Sequence, residues 1–432
     1  MIIDFTVRNF RSIAEEQVFS LHAEKVGKYH LDNVAYPDDK TAVLKVGAIY
    51  GPNASGKSNL LLAMVGLCWL VDQSAELKEG EVIPPYEPYA LDADRKSSPI
   101  EFEIEFVASD KVRYRYSISY NAFEIISESL DSFLGRSRSN LFTRKKGDTW
   151  ETMYLGSNLR GKVRRIPFFK NNSYVAKAGR TAGAPESLRA VFKYFDDLMY
   201  IGTEVSGTFT PVFLQEEENI HTVSRILSAI DTGVTGITCE EQEVQNASIF
   251  DSLPKKIRDR LLEEAKLKFT FWHKSDQGDP FPMDFKYESS GTKKLFHFIP
   301  IVIFTIARGG VLIVDELEAS LHPHIAALFV KIFNDPDVNA TNAQLIFTTH
   351  NTGLLDSQVM RRDQIWFVRK DAGSSTFYCL DEFDKKIVTP QSPIDEWYDE
   401  GRFGAVPKIN YGAVADQLAS AIYEAVDEHA EA

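Results

Sequence analysis

Cysteine is scarce in this 432-residue chain: Cys68, Cys239 and Cys379 stand far apart and out of metal-ligand spacing. Neither a disulfide framework nor a zinc site is expected from such a set, and reduced, packed cysteines are the simpler reading. Long hydrophobic runs are missing as well. The longest, Leu60 to Val71 and Leu295 to Ala307, are too short to span a bilayer, so both are expected as buried helices and no membrane partner is expected. No basic-then-apolar leader is seen, because Met1 opens directly into an alternating pattern, and a cytoplasmic location is the expectation. Internal repeats, low-complexity linkers and sustained heptads are lacking, which argues against a long coiled-coil arm. What remains, 44% hydrophobic and 25% charged residues, is an ordinary globular composition with enough apolar side chain for one large core or two modest ones.

Positive charge is short overall, the net charge being −14, and this excludes a chain that coats DNA with its whole surface. The deficit is uneven. Between Arg136 and Lys193 there are 14 lysines and arginines against Asp148, Glu151 and Glu186, a local +11 that leaves −25 for the rest. Within it, Arg160-Gly161-Lys162-Val163-Arg164-Arg165 and Phe168-Phe169-Lys170 mix cations with aromatics, as nucleic-acid surfaces do. A solvated surface, or a dock for an acidic partner or for the chain's own acidic remainder, is an equally cheap reading.

Periodicity divides the chain. Ile2 to Phe10 alternates apolar and polar side chains as a half-buried strand does, with a hairpin partner near Gln17 to Leu21. Val43 to Tyr50 is an apolar run that stops at Gly51, and Ser58 to Leu70 has helical apolar spacing. Ile100 to Phe106 and Val112 to Tyr120 alternate strictly and predict an antiparallel sheet. From Gly135 to Pro282 helical patterns at Ser187 to Tyr200, Thr222 to Ile230 and Lys255 to Leu267 mingle with the basic stretch. The pattern then becomes α/β again. Helices are expected at Thr292 to Ala307 and Pro323 to Phe333, and strands at Val311 to Val314, Gln344 to Thr348, Gln364 to Val368 and Phe377 to Leu380. The divisions are therefore 1–134, a basic and mainly helical insert at 135–282, a second α/β segment at 283–385, and a tail at 386–432.

Gly51-Pro52-Asn53-Ala54-Ser55-Gly56-Lys57-Ser58 matches G-x-x-x-x-G-K-[ST] between a predicted strand and a predicted helix. Its glycines let backbone amides turn inward as an anion nest at a helix N-terminus. Lys57 is expected to reach the β- and γ-phosphates of ATP and the Ser58 hydroxyl to ligate Mg²⁺, within a binding loop formed by Asn53, Ala54, Ser55, Gly56, Lys57, Ser58 and Asn59. Val311-Leu312-Ile313-Val314-Asp315-Glu316 ends an apolar strand in two carboxylates, which gives Asp315 the metal, held through water, and Glu316 the attacking water. Ser289, Ser290 and Gly291 open an apolar helix, a place where a second anion can bind. On its own that segment is merely a helix cap. His350 follows an apolar strand and is expected at the same sheet edge as Glu316. His322 is expected to pack the turn after Ala319-Ser320, outside the chemistry.

The loop at Gly51 to Ser58, Ser289 to Thr292, Asp315-Glu316, Ala319-Ser320-Leu321-His322-Pro323 and Thr348-Thr349-His350 follow the order of ABC-type, SMC-like ATPases, whose first strand Asn9-Phe10-Arg11-Ser12 also resembles. Within that group the chain is similar to the RloA/AbiL-type ATP-binding proteins of bacterial phage-defence operons. The similarity lies in Glu288 to Leu295, Asn342 to His350, Arg361 to Phe367 and Gly401 to Pro407. The resemblance implies an α/β head, with a P-loop mixed sheet, its helices and an antiparallel β lobe. It implies a homodimer with two ATP molecules sandwiched, each bound by the phosphate loop of one copy and Ser289 to Thr292 of the other. Glu316 is then the general base, Lys57 and His350 complete the catalytic set, and Arg11 and Ser12 touch nucleotide. The signature departs from Leu-Ser-Gly-Gly-Gln at Glu288, Ser290 and Thr292. The function implied is a sensor or switch for a separately encoded effector such as a nuclease. A DNA-repair ATPase in the RecF manner, using the Arg136–Lys193 stretch, is the alternative. A transporter's energising subunit is a third reading, against which the large insert and the first strand speak.

Overall fold

The computed structural model describes residues 1–24, 30–38, 41–135, 137–202, 213–214, 216–230, 232–243, 258, 262, 265–389, 391–407 and 409–430, with 423–430 as backbone alone. A six-stranded sheet forms the centre. Its members are β5 (Val46–Tyr50), β11 (Leu198–Ile201), β15 (Val311–Val314), β16 (Gln344–Thr348), β17 (Ile365–Asp371) and β18 (Ser374–Cys379), in the order β11-β15-β16-β5-β17-β18. All pairings are parallel except β17 with β18, which forms a hairpin. Val311 and Ile313 enter one hydrophobic core while Leu312 and Val314 enter another on the opposite face. Burial on both faces is why these strands read as unbroken apolar runs rather than alternating ones.

A seven-stranded antiparallel sheet forms the second lobe, in the order β10-β9-β8-β7-β6-β1-β2. It contains β1 (Ile2–Arg8), β2 (Gln17–Ser20), β6 (Ile100–Val107), β7 (Arg113–Tyr120), β8 (Ile125–Leu134), β9 (Ser137–Lys145) and β10 (Tyr154–Leu155). Here one face is wetter: Tyr114, Tyr116, Ile118 and Tyr120 of β7 are buried, and Arg113, Arg115, Ser117 and Ser119 between them are half-buried. A two-stranded ribbon, β3 (Val34–Ala35) with β4 (Val43–Leu44), and a three-stranded sheet, β12 (Gly236–Glu241), β13 (Leu267–Lys274) and β14 (Pro280–Asp284), complete the strands. Helices among the described residues include α1 (Lys57–Asp72), α2 (Tyr174–Gly179), α3 (Glu186–Asp196), α4 (Glu217–Ala229), α5 (Ser290–Arg308), α6 (Pro323–Asn334), α7 (Ile394–Asp399) and α8 (Tyr411–Ala430). Residues of α1 lie in the core shared by both large sheets, whereas α4, α5, α6 and α7 cover the other face of the parallel sheet. This is the head expected from the sequence, a P-loop mixed sheet with an antiparallel lobe.

The 135–282 region, expected to be mainly helical, holds strands beside its helices. The β8–β9 hairpin crosses residue 135 and extends the antiparallel sheet. The helix expected over Ser187 to Tyr200 ends at Asp196, because Leu198-Met199-Tyr200-Ile201 pairs in parallel with β15. A short apolar run fits a buried strand and a helix end equally well, so only its neighbour decides. The helical pattern at Lys255 to Leu267 falls mostly outside the described residues, and Leu267 itself begins β13.

The basic stretch is partly internal to the second lobe. Arg144 is 2% exposed and donates to the carbonyls of Asn172 at 2.7 Å and Lys170 at 2.9 Å, with Glu128 at 3.4 Å and the Phe168 ring 4.1 Å from its guanidinium carbon. Arg138 pairs with Asp131, Lys146 with Glu124, and Arg180 with both Asp72 and Glu76. Arg160, Lys162, Arg164, Arg165 and Lys170 remain exposed, while Arg136 lies outside the described residues. No helix among the described residues is long and apolar enough to cross a membrane.

Candidate functional site

The sheet order places three motif-bearing strand ends side by side: β15 runs into Asp315-Glu316, β16 into Thr349-His350, and β5 into Gly51. Parallel strands deliver their C-terminal ends to one edge, so residues 33 to 299 positions apart in sequence become neighbours there. The loop after β5 turns sharply, with Ala54 at φ 62° and Gly56 at φ 106°, and Gly56 caps the N-terminus of α1. A side chain at Gly56 would put its Cβ 2.2 Å from Ser375 Oγ, so glycine is required by space as well as by conformation. The first amides of α1, at Lys57 and Ser58, point out of the helix without intrahelical acceptors, at the positive end of its dipole.

Lys57 is 6% exposed, and its ammonium donates to the carbonyls of Gly51 at 2.8 Å and Pro52 at 3.3 Å and lies 3.0 Å from His350 Nε2. Burial lowers its pKa, with Glu316, Asp315 and Glu318 pulling in the opposite direction. His350 is also lowered, first by burial and then by Lys57, which favours the neutral imidazole, whose Nε2 then accepts a hydrogen bond from the ammonium. Asp315, 7% exposed, accepts from Ser58 Oγ at 3.0 Å and from Thr348 Oγ1 at 2.6 Å. The Ser58 hydroxyl and the Asp315 carboxylate, joined here by a hydrogen bond, are oxygen donors of the kind a magnesium ion takes. One serine hydroxyl and one carboxylate, hard oxygen donors beside an anion nest, suit that ion. Glu316 follows with φ 51°, its amide donating to Thr348 Oγ1 at 2.7 Å and its side chain half-buried at the edge.

The structure thus brings Lys57, Ser58, Asp315, Glu316 and His350 together. Asn53 and Ala54 are exposed at the crest of the loop, and Ser55 is buried beneath it. Ser12 sits against that loop in an unexpected manner. Its hydroxyl bonds Ser375 Oγ at 2.7 Å and receives Asn59 Nδ2 at 2.7 Å, while Ser375 donates to the carbonyl of Ser55 at 2.6 Å. Ser12 and Asn59 therefore brace the phosphate loop through these bonds, and Ser375 joins them. Arg11, at φ 50°, pairs its guanidinium with Glu87 at 2.5 Å. Ser289 and Ser290 are exposed, Gly291 is half-buried, and Ser289 caps α5 by accepting from the Thr292 amide at 3.0 Å. Among the described residues no hydrogen bond or ion pair joins this segment to Gly51–Ser58 of the same chain. His322 caps α6, accepting from the His324 amide at 3.3 Å.

Four contributors escaped the sequence reading. Thr348 holds Asp315 and the Glu316 amide at once; Glu318 accepts from Thr349 Oγ1 at 2.7 Å and from the His350 amide at 2.5 Å. Ser375 and Lys294, the latter bonded to the Ala319 carbonyl at 2.6 Å, come from distant elements. Glu318 alone carried a signal, standing two residues past Glu316 at the same strand end.

Comparison with known proteins gives a family match and several structural likenesses. Residues 47–179 and 192–356, together more than half of the chain, match the family described as "AAA domain, putative AbiEii toxin, Type IV TA system". No curated protein matches the sequence. Among solved structures, the SMC head domain from Thermotoga maritima is 13% identical, with 88% of this chain and 98% of that chain covered and a TM-score of 0.39. A RecF recombination mediator with an ATP analogue is 14% identical over 87% of this chain and 98% of its own, at 0.35. A Pyrococcus furiosus Smc head bound to the C-terminal domain of ScpA is 12% identical over 88% and 96%, also at 0.35. The phosphate loop, the paired acids and the histidine that converge on one edge all lie within the matched residues, and the chain belongs to that family, AAA_21.

Proposed function

We propose that the chain binds and hydrolyses ATP between two paired heads, and that it serves as the switch of a bacterial anti-phage system acting through a separately encoded effector such as a nuclease. The convergence of Lys57, Ser58, Asp315, Glu316 and His350 at one sheet edge carries this reading. The exposure of Ser289 and Ser290, away from their own chain's loop, supports pairing of heads. The family description, with its toxin–antitoxin association, supports a defence role.

In this reading Lys57 exchanges its carbonyl contacts for the β- and γ-phosphates, and the loop amides take the rest of the phosphate charge. Ser58 and Asp315 would hold Mg²⁺, which when bound neutralises developing charge on the phosphates. Glu316 accepts a proton from the attacking water as general base. The neutral His350 accepts from that water or donates to the γ-phosphate according to its tautomer. Ser289, Ser290 and Gly291 of the second copy present a helix N-terminus to the same phosphate.

Light scattering of wild type and Glu316→Gln, each with and without ATP and Mg²⁺, tests the reading. Mass is expected to double with ATP and to stay doubled in the variant, whose hydrolysis falls on the order of 10²–10⁴-fold. ATP binding with unchanged mass would sink the sandwich. A second reading, a RecF-like ATPase that binds DNA, is favoured by the exposed Arg160, Lys162, Arg164, Arg165 and Lys170. It requires salt-sensitive DNA binding that neutralising Arg160 and Lys162 weakens.

A further inference from the structure

The turn that carries Glu316 is gripped by a lysine from the helix that begins at Ser290. Lys294, in the second turn of α5, is 7% exposed. Its ammonium donates to the carbonyl of Ala319 at 2.6 Å and lies 3.4 Å from those of Glu316 and Leu317. Among the described residues no carboxylate stands within ion-pair distance of it. Burying an ammonium is costly, and an apolar side chain of the same length would fill the site without that cost. The charge therefore serves the three carbonyls. A second contact lies one turn earlier: a Cβ at Gly291 would stand 3.0 Å from the Ser320 carbonyl, so α5 rests almost backbone to backbone on the far end of the same turn.

The turn itself is conformationally demanding, with Glu316 at φ 51° and Ser320 at φ 60°. Non-glycine residues keep such angles only where the surroundings over-determine them. Lys294 supplies that constraint from the α5 side. From the other side Glu318 binds Thr349 and the His350 amide. Glu316 thus sits in a short segment fastened at one flank to the helix that starts at Ser290 and at the other to the strand end that holds His350.

We infer that Lys294 is a positioning residue that makes the placement of Glu316 depend on where the Ser289–Thr292 end of α5 sits. Docking of that end on a second copy's nucleotide is then felt at this copy's own hydrolytic site. The inference rests on the proposed ATPase with paired heads. A helix moves as a rigid rod, and three carbonyls tied to one ammonium follow it, so a displacement at the N-terminus of α5 reaches the Glu316 backbone without passing through nucleotide.

The test is steady-state ATP hydrolysis against protein concentration for wild type, Lys294→Met, Lys294→Gln, Lys294→Arg, Ser290→Arg and the Ser290→Arg/Lys294→Met double variant, with nucleotide binding followed by a fluorescent ATP analogue. Wild-type specific activity is expected to rise with concentration as heads pair. Lys294→Met is expected to keep KM within about twofold, lower kcat about tenfold or more, and lose the concentration dependence, while Lys294→Arg restores most of it. Because Ser290 is exposed, Ser290→Arg spares the fold, and its loss should not add to that of Lys294→Met. Wild-type kcat in Lys294→Met, or losses that multiply in the double variant, overturns the inference. So does loss of analogue binding in both Lys294→Met and Lys294→Gln, which would assign the lysine to folding alone. A wild type that hydrolyses no ATP at any concentration refutes the ATPase reading itself, and this inference with it.

Discussion

Arg144 and Lys57, two of the buried cations among the described residues, are satisfied in different ways. Arg144, in the antiparallel lobe, finds Glu128 and two carbonyls, and Glu128 in turn accepts from Tyr116, Ser173 and the Tyr174 amide. Every charge there is answered from within the chain. At the parallel-sheet edge Lys57 rests on carbonyls and a neutral imidazole, while hydroxyls from Ser58 and Thr348 take up Asp315. Its charges are held close without being paired to one another. The first cluster is a scaffold, and the second is arranged to admit a further charged body between its members.

Breaking each cluster should give opposite phenotypes. Glu128→Ala leaves Arg144 buried without its counter-ion and is expected to destabilise the protein by about 3–5 kcal/mol in urea titrations, with ATP affinity unchanged in the folded fraction. Lys57→Ala removes a buried charge that is not ion-paired, so stability should change little. Hydrolysis should fall on the order of 10²–10³-fold, a cost of about 3–4 kcal/mol at the transition state. Equal stability losses in the two variants would erase the distinction.

Acid sharpens the comparison through histidines. His297, in α5, is pushed down to about 4 by burial, from 6.5 in the unfolded chain. Its unfolded form takes up a proton first, so stability should decline as pH falls from 6.5 towards about 4 and then level off. The contribution is at most about 3 kcal/mol, and His297→Phe should flatten that limb of the chemical-denaturation profile. His350 is lowered in the same direction, and its protonation would set a second cation 3.0 Å from the Lys57 ammonium. Hydrolysis is therefore expected to hold to below pH 6.5 and to fall in more acid solution, a limb that His350→Gln lacks. An acid limb unchanged in His350→Gln would assign that ionisation elsewhere.

The parts of the head that depend on local order were legible without coordinates. Val311 to Val314 reads as a doubly buried strand because both of its faces are covered, and Gly51 to Ser58 needs its glycines wherever it occurs. Helix α5 and the expected helix at Pro323 were visible through apolar spacing, and the structure carries them one or two residues further at their ends. Leu198 to Ile201 was not legible as a strand, since a short apolar run acquires that identity only when Val311 to Val314 lies beside it. The basic stretch was legible as charge but not as placement: Arg144 turns inward to Glu128, 16 positions away, while Arg138 pairs with Asp131 and stays exposed.

The same division holds at the site. Lys57, Ser58, Asp315, Glu316 and His350 were nameable because each belongs to a contiguous motif, where backbone geometry constrains neighbouring residues together. Ser375, Thr348 and Lys294 act across separations that no local pattern records, and the bonds Ser12 makes were equally out of reach. Ser12 meets Ser375 363 positions away, and Lys294 meets Ala319 25 positions on. Short-range sterics and periodic burial are written in the order of residues and predict elements and loops. Which hydroxyl braces the loop after β5, and which lysine grips the turn after β15, depends on how those elements pack, and that was decided only when the two sheets and α5 came together around the edge.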